Sequence, residues 1–176
     1  ITVILATKLV NKYFSLKNTE LKLKDYNPGD KAIPFEIIKE LKGADLLGQK
    51  YEQLMPYQLP EDGKSFEIIA ANFVTTEDGT GIVHLAPSFG SDDYIVGKQN
   101  GIGSLTLVDR QGKFIEGVGE FSGLYVKNYK NEDESANGYQ TTDVRIAIKL
   151  KKDNKAFKVE KYEHSYPHCW RTDKPI

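Results

Sequence analysis

The sequence is poor in residues with special chemistry. It has one cysteine, one tryptophan and one methionine in 176 residues. A single thiol, Cys169, excludes an internal disulfide and a zinc site of four thiolates. This usage fits a reducing compartment, so we expect a cytoplasmic protein.

A strong charge of one sign and long apolar runs are also missing. The 24 basic and 25 acidic side chains give a net charge of -1, so no global field draws the chain to nucleic acid or to an anionic membrane. The apolar residues 1–10 are too few to span a bilayer and lack the flanks of a signal peptide. We therefore expect no membrane partner, and any contact with nucleic acid must be local.

The signatures of several enzyme classes are absent. The glycine pairs in "GTGIVH", "GIGSLT" and "GVGEFSG" lack the third glycine of a dinucleotide-binding fingerprint. There is no phosphate-binding loop, no zinc-protease helix and no Gly-x-Ser-x-Gly elbow. Catalysis by a serine nucleophile has no support.

Two further groups of side chains have ordinary explanations. His164, His168 and Cys169 suit zinc, but their spacing matches no strong pattern and a fourth ligand is missing, which favours a structural role. We therefore predict no metal. Lysines near the end of the chain are more typical of a solvated helix face and an edge strand than of a phosphate site. They are Lys149, Lys151, Lys152, Lys155, Lys158 and Lys161.

Local patterns predict many short strands and a few helices. Short helices are predicted after residue 5 and over 91–99, before the stop signal Asn100-Gly101, and the best one within 141–157. A hairpin is predicted around Arg110–Gly112. Runs of β-branched or alternating residues predict the strands 1–5, 35–41, 66–74, 82–86, 120–126 and 158–166. Together they predict a single β-rich, barrel-like α+β domain over 1–176.

The segment "GIVHLAPSFGSDDY", residues 81–94, has two interpretations. In the first it is a strand end, a loop and a helix start, where Asp92 and Asp93 complement the helix dipole and His84 is an ordinary strand histidine. In the second, one aspartate caps the helix while the other faces across the loop, toward the strand end that carries His84. A carboxylate placed there suits an ammonium group.

These residues, with "FVTTEDGTG" before them and "HSYPHCWRTDKPI" after them, resemble the editing domain inserted in isoleucyl-tRNA synthetases. The resemblance covers essentially all 176 residues. It implies the barrel-like fold shared by valyl, leucyl and isoleucyl editing domains. Because the chain starts at Ile1 without a methionine, it is expected to be a piece excised from a larger class I synthetase.

The resemblance implies hydrolysis of valine that has been attached by mistake to isoleucine tRNA. Valine and isoleucine differ by one methylene, a difference well known to give too little discrimination by binding alone. No protein nucleophile, metal or cofactor is required, since a water activated with help from the terminal ribose hydroxyl attacks the ester. The parent enzyme uses ATP and magnesium at an aminoacylation site whose signatures are absent here.

Roles for single residues also follow from the resemblance. Asp93 is expected to hold the α-ammonium of the misattached amino acid, and His84 to exclude isoleucine at the side-chain end of the pocket. Asp92 is then expected to cap the helix. Residues expected to bring the backbone close to the substrate or to shape the loop are Gly79, Thr80, Gly81, Phe89 and Gly90.

The expected partners are the 3′ end of isoleucine tRNA carrying valine and the remainder of the synthetase. The family's threonine-rich strand lies upstream of Ile1, so two alternatives stay open. The piece could bind the tRNA end without turnover. It could also be a valyl-type editing domain that clears threonyl-tRNA, although His84 disfavours this, since the sister domains typically carry lysine or methionine there.

Overall fold

The computed structural model describes residues 1–127, 140–161 and 168–173, and these form two compact units. The first unit contains Ile1–Glu52 and Glu61–Ser104, and the second contains Gln53–Pro60 and Leu105–Ile176. All the candidate residues from Gly79 to Asp93 therefore lie in the first unit.

The described residues contain three α-helices, α1 (Val10–Tyr13), α2 (Ser91–Gln99) and α3 (Thr142–Lys152). Helix α2 ends at the predicted stop signal, and α3 confirms the helix predicted within 141–157, although it is shorter than that range. Short 3₁₀ turns are formed by Thr7–Leu9, Leu16–Glu20, Leu23–Asp25, Gly43–Leu46 and Gly119–Phe121.

Charge placement explains why α2 and α3 form where they do. Helix α2 has Asp92 and Asp93 in its first turn and Lys98 in its last, so each end carries the charge that complements the helix dipole. Helix α3 repeats the pattern, with Asp143 near its start and three lysines in its last turn. These signals are local, so the sequence alone predicts both helices.

The expectation of a β-rich, barrel-like α+β fold is wrong for the described residues. They contain no strand and no sheet. Alternation favours an extended backbone with one apolar face, but a strand also needs a partner that accepts and donates its main-chain hydrogen bonds. The predicted strands 1–5 and 82–86 have no such partner within the described ranges, and 162–166 of the last predicted strand lies outside those ranges. Between residues that are both described, pairing is limited to four isolated bridges: Lys50–Glu67, Lys64–Ile102, Val108–Phe114 and Lys113–Tyr125.

The hairpin predicted around Arg110–Gly112 is present only in part: the chain reverses there, but no strand flanks the turn among the described residues. Val108 and Phe114 form an antiparallel bridge across it, and the Asp109 amide donates to the Lys113 carbonyl at 2.8 Å. The Asp109 carboxylate also accepts the Lys113 amide at 2.9 Å. Gly112 has a φ of 77°, a value that glycine adopts readily. Local turn chemistry therefore forms without the longer strands that were expected on either side.

Each unit has a small apolar core. In the described part of the first unit the buried apolar side chains are Leu9 and Leu46, and in the second they are Val118 and Phe121. The Phe121 ring is the most deeply buried, and the Tyr57 ring packs edge-on against it with 6.3 Å between centroids.

Candidate functional site

The turn Gly79-Thr80-Gly81 has a geometry that only glycine accommodates easily. Gly79 and Gly81 have φ values of 64° and 79°, in the left-handed region. A Cβ atom at Gly81 would also lie 2.6 Å from the Cβ of Ala6, whereas one at Gly79 would meet nothing within 4 Å. Gly81 therefore allows a close approach of two segments, and Gly79 allows only the turn itself.

Residues near the start of the chain hold this turn in place. The Ala6 amide donates to the Thr80 carbonyl at 2.8 Å, and the Tyr13 hydroxyl donates to the Gly79 carbonyl at 2.9 Å. Lys12 forms an ion pair with Asp78. The hydrogen bond from Lys12, followed by one from the Gly79 amide, lowers the pKa of Asp78. The turn is thus fixed by α1 and by the residues just before it.

Sequence reasoning missed Ala6, Lys12 and Tyr13 as supports of this turn. They lie more than 60 residues away in the chain, and nothing in their local pattern points to the glycines. Only proximity in three dimensions reveals such partners.

Asp93, on the first turn of α2, points back across the loop that precedes the helix. Its Oδ2 accepts a hydrogen bond of 3.0 Å from the Ala86 amide, and the residue is partly buried. No other hydrogen bond of this carboxylate occurs within the described residues. The expectation that one of the two aspartates faces across the loop is confirmed. Its second oxygen, Oδ1, therefore has no hydrogen-bond partner among these residues.

The loop between Ala86 and α2 packs closely against the Asp93 side chain. The amides of Phe89 and Gly90 both donate to the Ala86 carbonyl, at 3.0 and 3.2 Å. A Cβ atom at Gly90 would lie 2.8 Å from Oδ2 of Asp93, so the carboxylate rests against a position where only glycine leaves room. Phe89 is 67% exposed at the tip of the loop.

Asp92 does not cap the helix, so that expectation is wrong. The residue at the N-cap of α2 is Gly90, which has no side chain to bond the free amides. Asp92 is exposed and makes no hydrogen bond within the described ranges, because its position one residue earlier turns it away from the loop. It contributes only a favourable charge near the start of α2.

His84 is an exposed side chain, two residues before Ala86. Within the described part of the chain, no hydrogen bond or ion pair joins it to Asp93 or to the glycine turn. The structure thus brings together Asp93, Phe89 and Gly90 through Ala86, and it ties Gly79–Gly81 to the start of the chain. No hydrogen bond or ion pair joins the two groups to each other, or either group to His84, among these residues.

Two of the other charged candidates, Lys149 and Lys155, make contacts within the protein. In the second unit, Lys149 pairs with Glu120 at 3.2 Å and with Asp153 at 3.1 Å. Lys155 donates to the Leu54 carbonyl at 2.8 Å. Lys151 and Lys152, in the last turn of α3, are exposed, as expected for a solvated helix face.

No group of three or more potential metal ligands comes together among the described residues, and His164 lies outside them. The Thr172 hydroxyl and the amides of Arg171 and Thr172 lower the pKa of the Cys169 thiol.

The residues that the structure describes also include no helix of the length and apolarity needed to cross a bilayer.

Comparison with known proteins gives a consistent result, although no family model matches the chain. The isoleucine–tRNA ligase of Cytophaga hutchinsonii is 52% identical to it over the whole chain, which spans 18% of that ligase. The ligase of Bacteroides thetaiotaomicron is 42% identical over the whole chain, which spans 19% of it. The ligase of Clostridium tetani is 45% identical over 79% of the chain and 12% of the ligase. The chain therefore belongs, over its whole length, to one segment of the isoleucine–tRNA ligase family.

Proposed function

We propose that this segment is the editing site of its ligase and hydrolyses valine from isoleucine tRNA. The observation that carries the proposal is the state of the Asp93 carboxylate. One oxygen is held by the Ala86 amide at 3.0 Å, and the other makes no hydrogen bond among the described residues. A partly buried carboxylate with one fixed and one open oxygen is suited to an ammonium group, since a charge-assisted hydrogen bond is about twice as strong as a neutral one.

In this proposal Asp93 anchors the α-ammonium of the valyl ester, with Phe89 and Gly90 beside it. A water molecule adds to the ester carbonyl, the bond between the carbonyl carbon and the ribose oxygen breaks, and that oxygen takes a proton. The products are free valine and uncharged tRNA. The chain's own part is to bind and orient the ester, and no side chain forms a covalent bond to it.

In this proposal the glycine turn and His84 determine which substrate groups fit into the site. In this proposal the terminal nucleotide approaches the backbone at Gly79, where a Cβ atom would meet nothing within 4 Å, while Gly81 holds the turn against Ala6. His84 is assigned a steric role, excluding the larger isoleucine side chain from the pocket.

The direct test uses the full-length ligase and two matched variants, Asp93→Ala and Asp92→Ala. The two aspartates are neighbours, but only Asp93 bonds across the loop. Deacylation of valyl-tRNA is expected to slow about tenfold to hundredfold in Asp93→Ala, since a hydrogen bond to a charged group is worth about 1.5–3 kcal/mol. Asp92→Ala should clear valyl-tRNA at the normal rate, and both variants should charge tRNA with isoleucine normally. A normal rate in Asp93→Ala would refute the proposal.

The role of His84 has its own test. His84→Ala should let the enzyme attack isoleucyl-tRNA, which the wild type leaves intact. Unchanged protection of isoleucyl-tRNA in this variant would remove the exclusion role while leaving that of Asp93 in place.

A further inference from the structure

Helix α2 meets the segment that precedes it at two points on one helix face. Asp93 and Gly97 are four residues apart, so they lie one above the other on the same side of the helix. The first contact joins Asp93 to the Ala86 amide at 3.0 Å. At the second, a Cβ atom placed on Gly97 would lie 2.9 Å from Cγ and 3.3 Å from Cβ of Pro87. Both contacts fall on adjacent residues of the partner segment, Ala86 and Pro87.

Nothing in the helix itself calls for glycine at position 97. Gly97 is buried within α2, and its φ is not in the left-handed region. Alanine is the better helix former at such a position because it loses less conformational freedom on folding. The close approach to Pro87 is therefore the physical reason for the missing side chain.

We propose that Gly97 is a positioning residue for the site, acting through Asp93. The absent side chain lets α2 lie against the Pro87 ring, and only at that separation does the Asp93 carboxylate reach the Ala86 amide. This inference rests on the proposed function, in which Asp93 anchors the ammonium group. A methyl group at position 97 would push helix α2 away from Pro87. Because Asp93 lies four residues away on the same rigid helix, its carboxylate would move with it. A displacement of about 1 Å in a binding group costs on the order of a hundredfold in rate.

The experiment compares four variants of the full-length ligase. Gly97→Ala adds the methyl group against Pro87. Gly43→Ala is the matched control, because a Cβ atom at Gly43 meets nothing within 4 Å. Pro87→Ala removes Cγ and Cδ of the ring, including the atom nearest to the added methyl group, and keeps Cβ. The double variant Gly97→Ala/Pro87→Ala combines the methyl group with the space that those two atoms leave. Each is assayed for valyl-tRNA deacylation, for isoleucine charging and for hydrogen exchange at the Ala86 amide.

We expect Gly97→Ala to slow deacylation by at least about tenfold and to speed exchange at the Ala86 amide. Gly43→Ala should stay within about twofold of the wild type. In the Pro87→Ala background, adding Gly97→Ala should change the rate by less than about twofold and leave the exchange of the Ala86 amide unaltered. Isoleucine charging should be normal throughout. Rescue of Gly97→Ala in the Pro87→Ala background is expected only if the contact with Pro87 causes its defect.

Normal deacylation in Gly97→Ala, beside a defective Asp93→Ala enzyme, would overturn the positioning role alone. A loss that persists undiminished in the Pro87→Ala background would overturn it as well. Normal deacylation in Asp93→Ala would instead overturn the proposed function. Exchange at the Ala86 amide is read without any substrate, so it decides the geometric link between Gly97 and Asp93 separately from both.

Discussion

The carboxylate of Asp93 accepts the main-chain amide of Ala86 at 3.0 Å, across the loop that joins residue 86 to helix α2. This bond does two things. It satisfies an amide at the end of an irregular segment, and it fixes one oxygen of a charged group, while the other oxygen makes no hydrogen bond to any described residue. Structure and proposed chemistry therefore use different atoms of one side chain, and substitutions can separate them.

The substitution Asp93→Asn should separate the two roles. The amide oxygen of asparagine still accepts the Ala86 amide, but the side chain has no charge for an ammonium group. Hydrogen exchange at the Ala86 amide should remain slow in Asp93→Asn and become fast in Asp93→Ala. Valyl-tRNA deacylation should fall in both variants. Full deacylation by Asp93→Asn would show that the charge is not needed.

The glycine turn gives a prediction about stability. Gly79→Ala should lower the free energy of unfolding by about 1–2 kcal/mol, the cost of a left-handed backbone for a residue with a Cβ atom. Gly81→Ala should lower it further, since its Cβ atom would also lie 2.6 Å from that of Ala6. The additional change Ala6→Gly should recover part of the loss for Gly81→Ala and none for Gly79→Ala. Urea unfolding measures the free energy of unfolding of the two single and two double variants against the wild type. Equal losses in Gly79→Ala and Gly81→Ala would contradict the close approach of Gly81 to Ala6.

The second unit gives a prediction about pH. The hydrogen bond from Tyr57, at 2.6 Å, and the nearby Lys149 hold the pKa of Glu120 at about 2, below its ordinary 4.5. A carboxyl with a lowered pKa in the folded state contributes stability above its unfolded pKa. That contribution should be lost as the pH falls from about 4.5 toward 2.

The change Glu120→Gln should therefore flatten the dependence of the urea midpoint on pH between 4.5 and 2. The control is Glu116→Gln, since the Glu116 side chain makes no hydrogen bond among the described residues. Its profile should follow that of the wild type. A Glu120→Gln profile parallel to the wild type would show that the contact between Tyr57 and Glu120 adds nothing to acid stability.

The single thiol gives a prediction about reactivity. A hydrogen bond from the Thr172 hydroxyl is the main cause that lowers the pKa of Cys169. Thr172→Val should raise that pKa and slow alkylation by iodoacetamide at neutral pH, because the loss of thiolate outweighs the gain in nucleophilicity. Thr172→Ser keeps the hydroxyl and should react like the wild type. Equal rates in all three proteins would exclude the hydroxyl as the cause.

The sequence predicts features whose causes are local. Helix α2 follows from its terminal charges and from the stop signal at Asn100-Gly101, and the reversal at Arg110–Gly112 follows from turn residues. The prediction of strands is wrong because alternation determines only which face of an extended segment is apolar. Pairing of that segment with a neighbouring strand depends on residues far away in the chain. Within the described residues, Ile82 and Val83 are about half exposed and bond no neighbouring strand.

The candidate site likewise has features that the sequence predicts and features that it does not. The pair Asp92 and Asp93 predicts that only one side chain faces the loop, because neighbours on a helix point in different directions. Their different contacts confirm this. The close approach of Gly97 to Pro87, and of Gly81 to Ala6, needs three-dimensional geometry. The one local hint is a glycine inside a helix, where propensity disfavours it.

The position of a bound substrate analogue would test the central claim most directly. The probe is a non-hydrolysable analogue of valyl-adenosine, in which an amide replaces the ester, bound to the full-length ligase and located by crystallography. The account predicts its α-ammonium about 2.7–2.9 Å from Oδ1 of Asp93, while Oδ2 keeps the Ala86 amide. An ammonium group placed against Asp92, or bound away from both carboxylates, would contradict it.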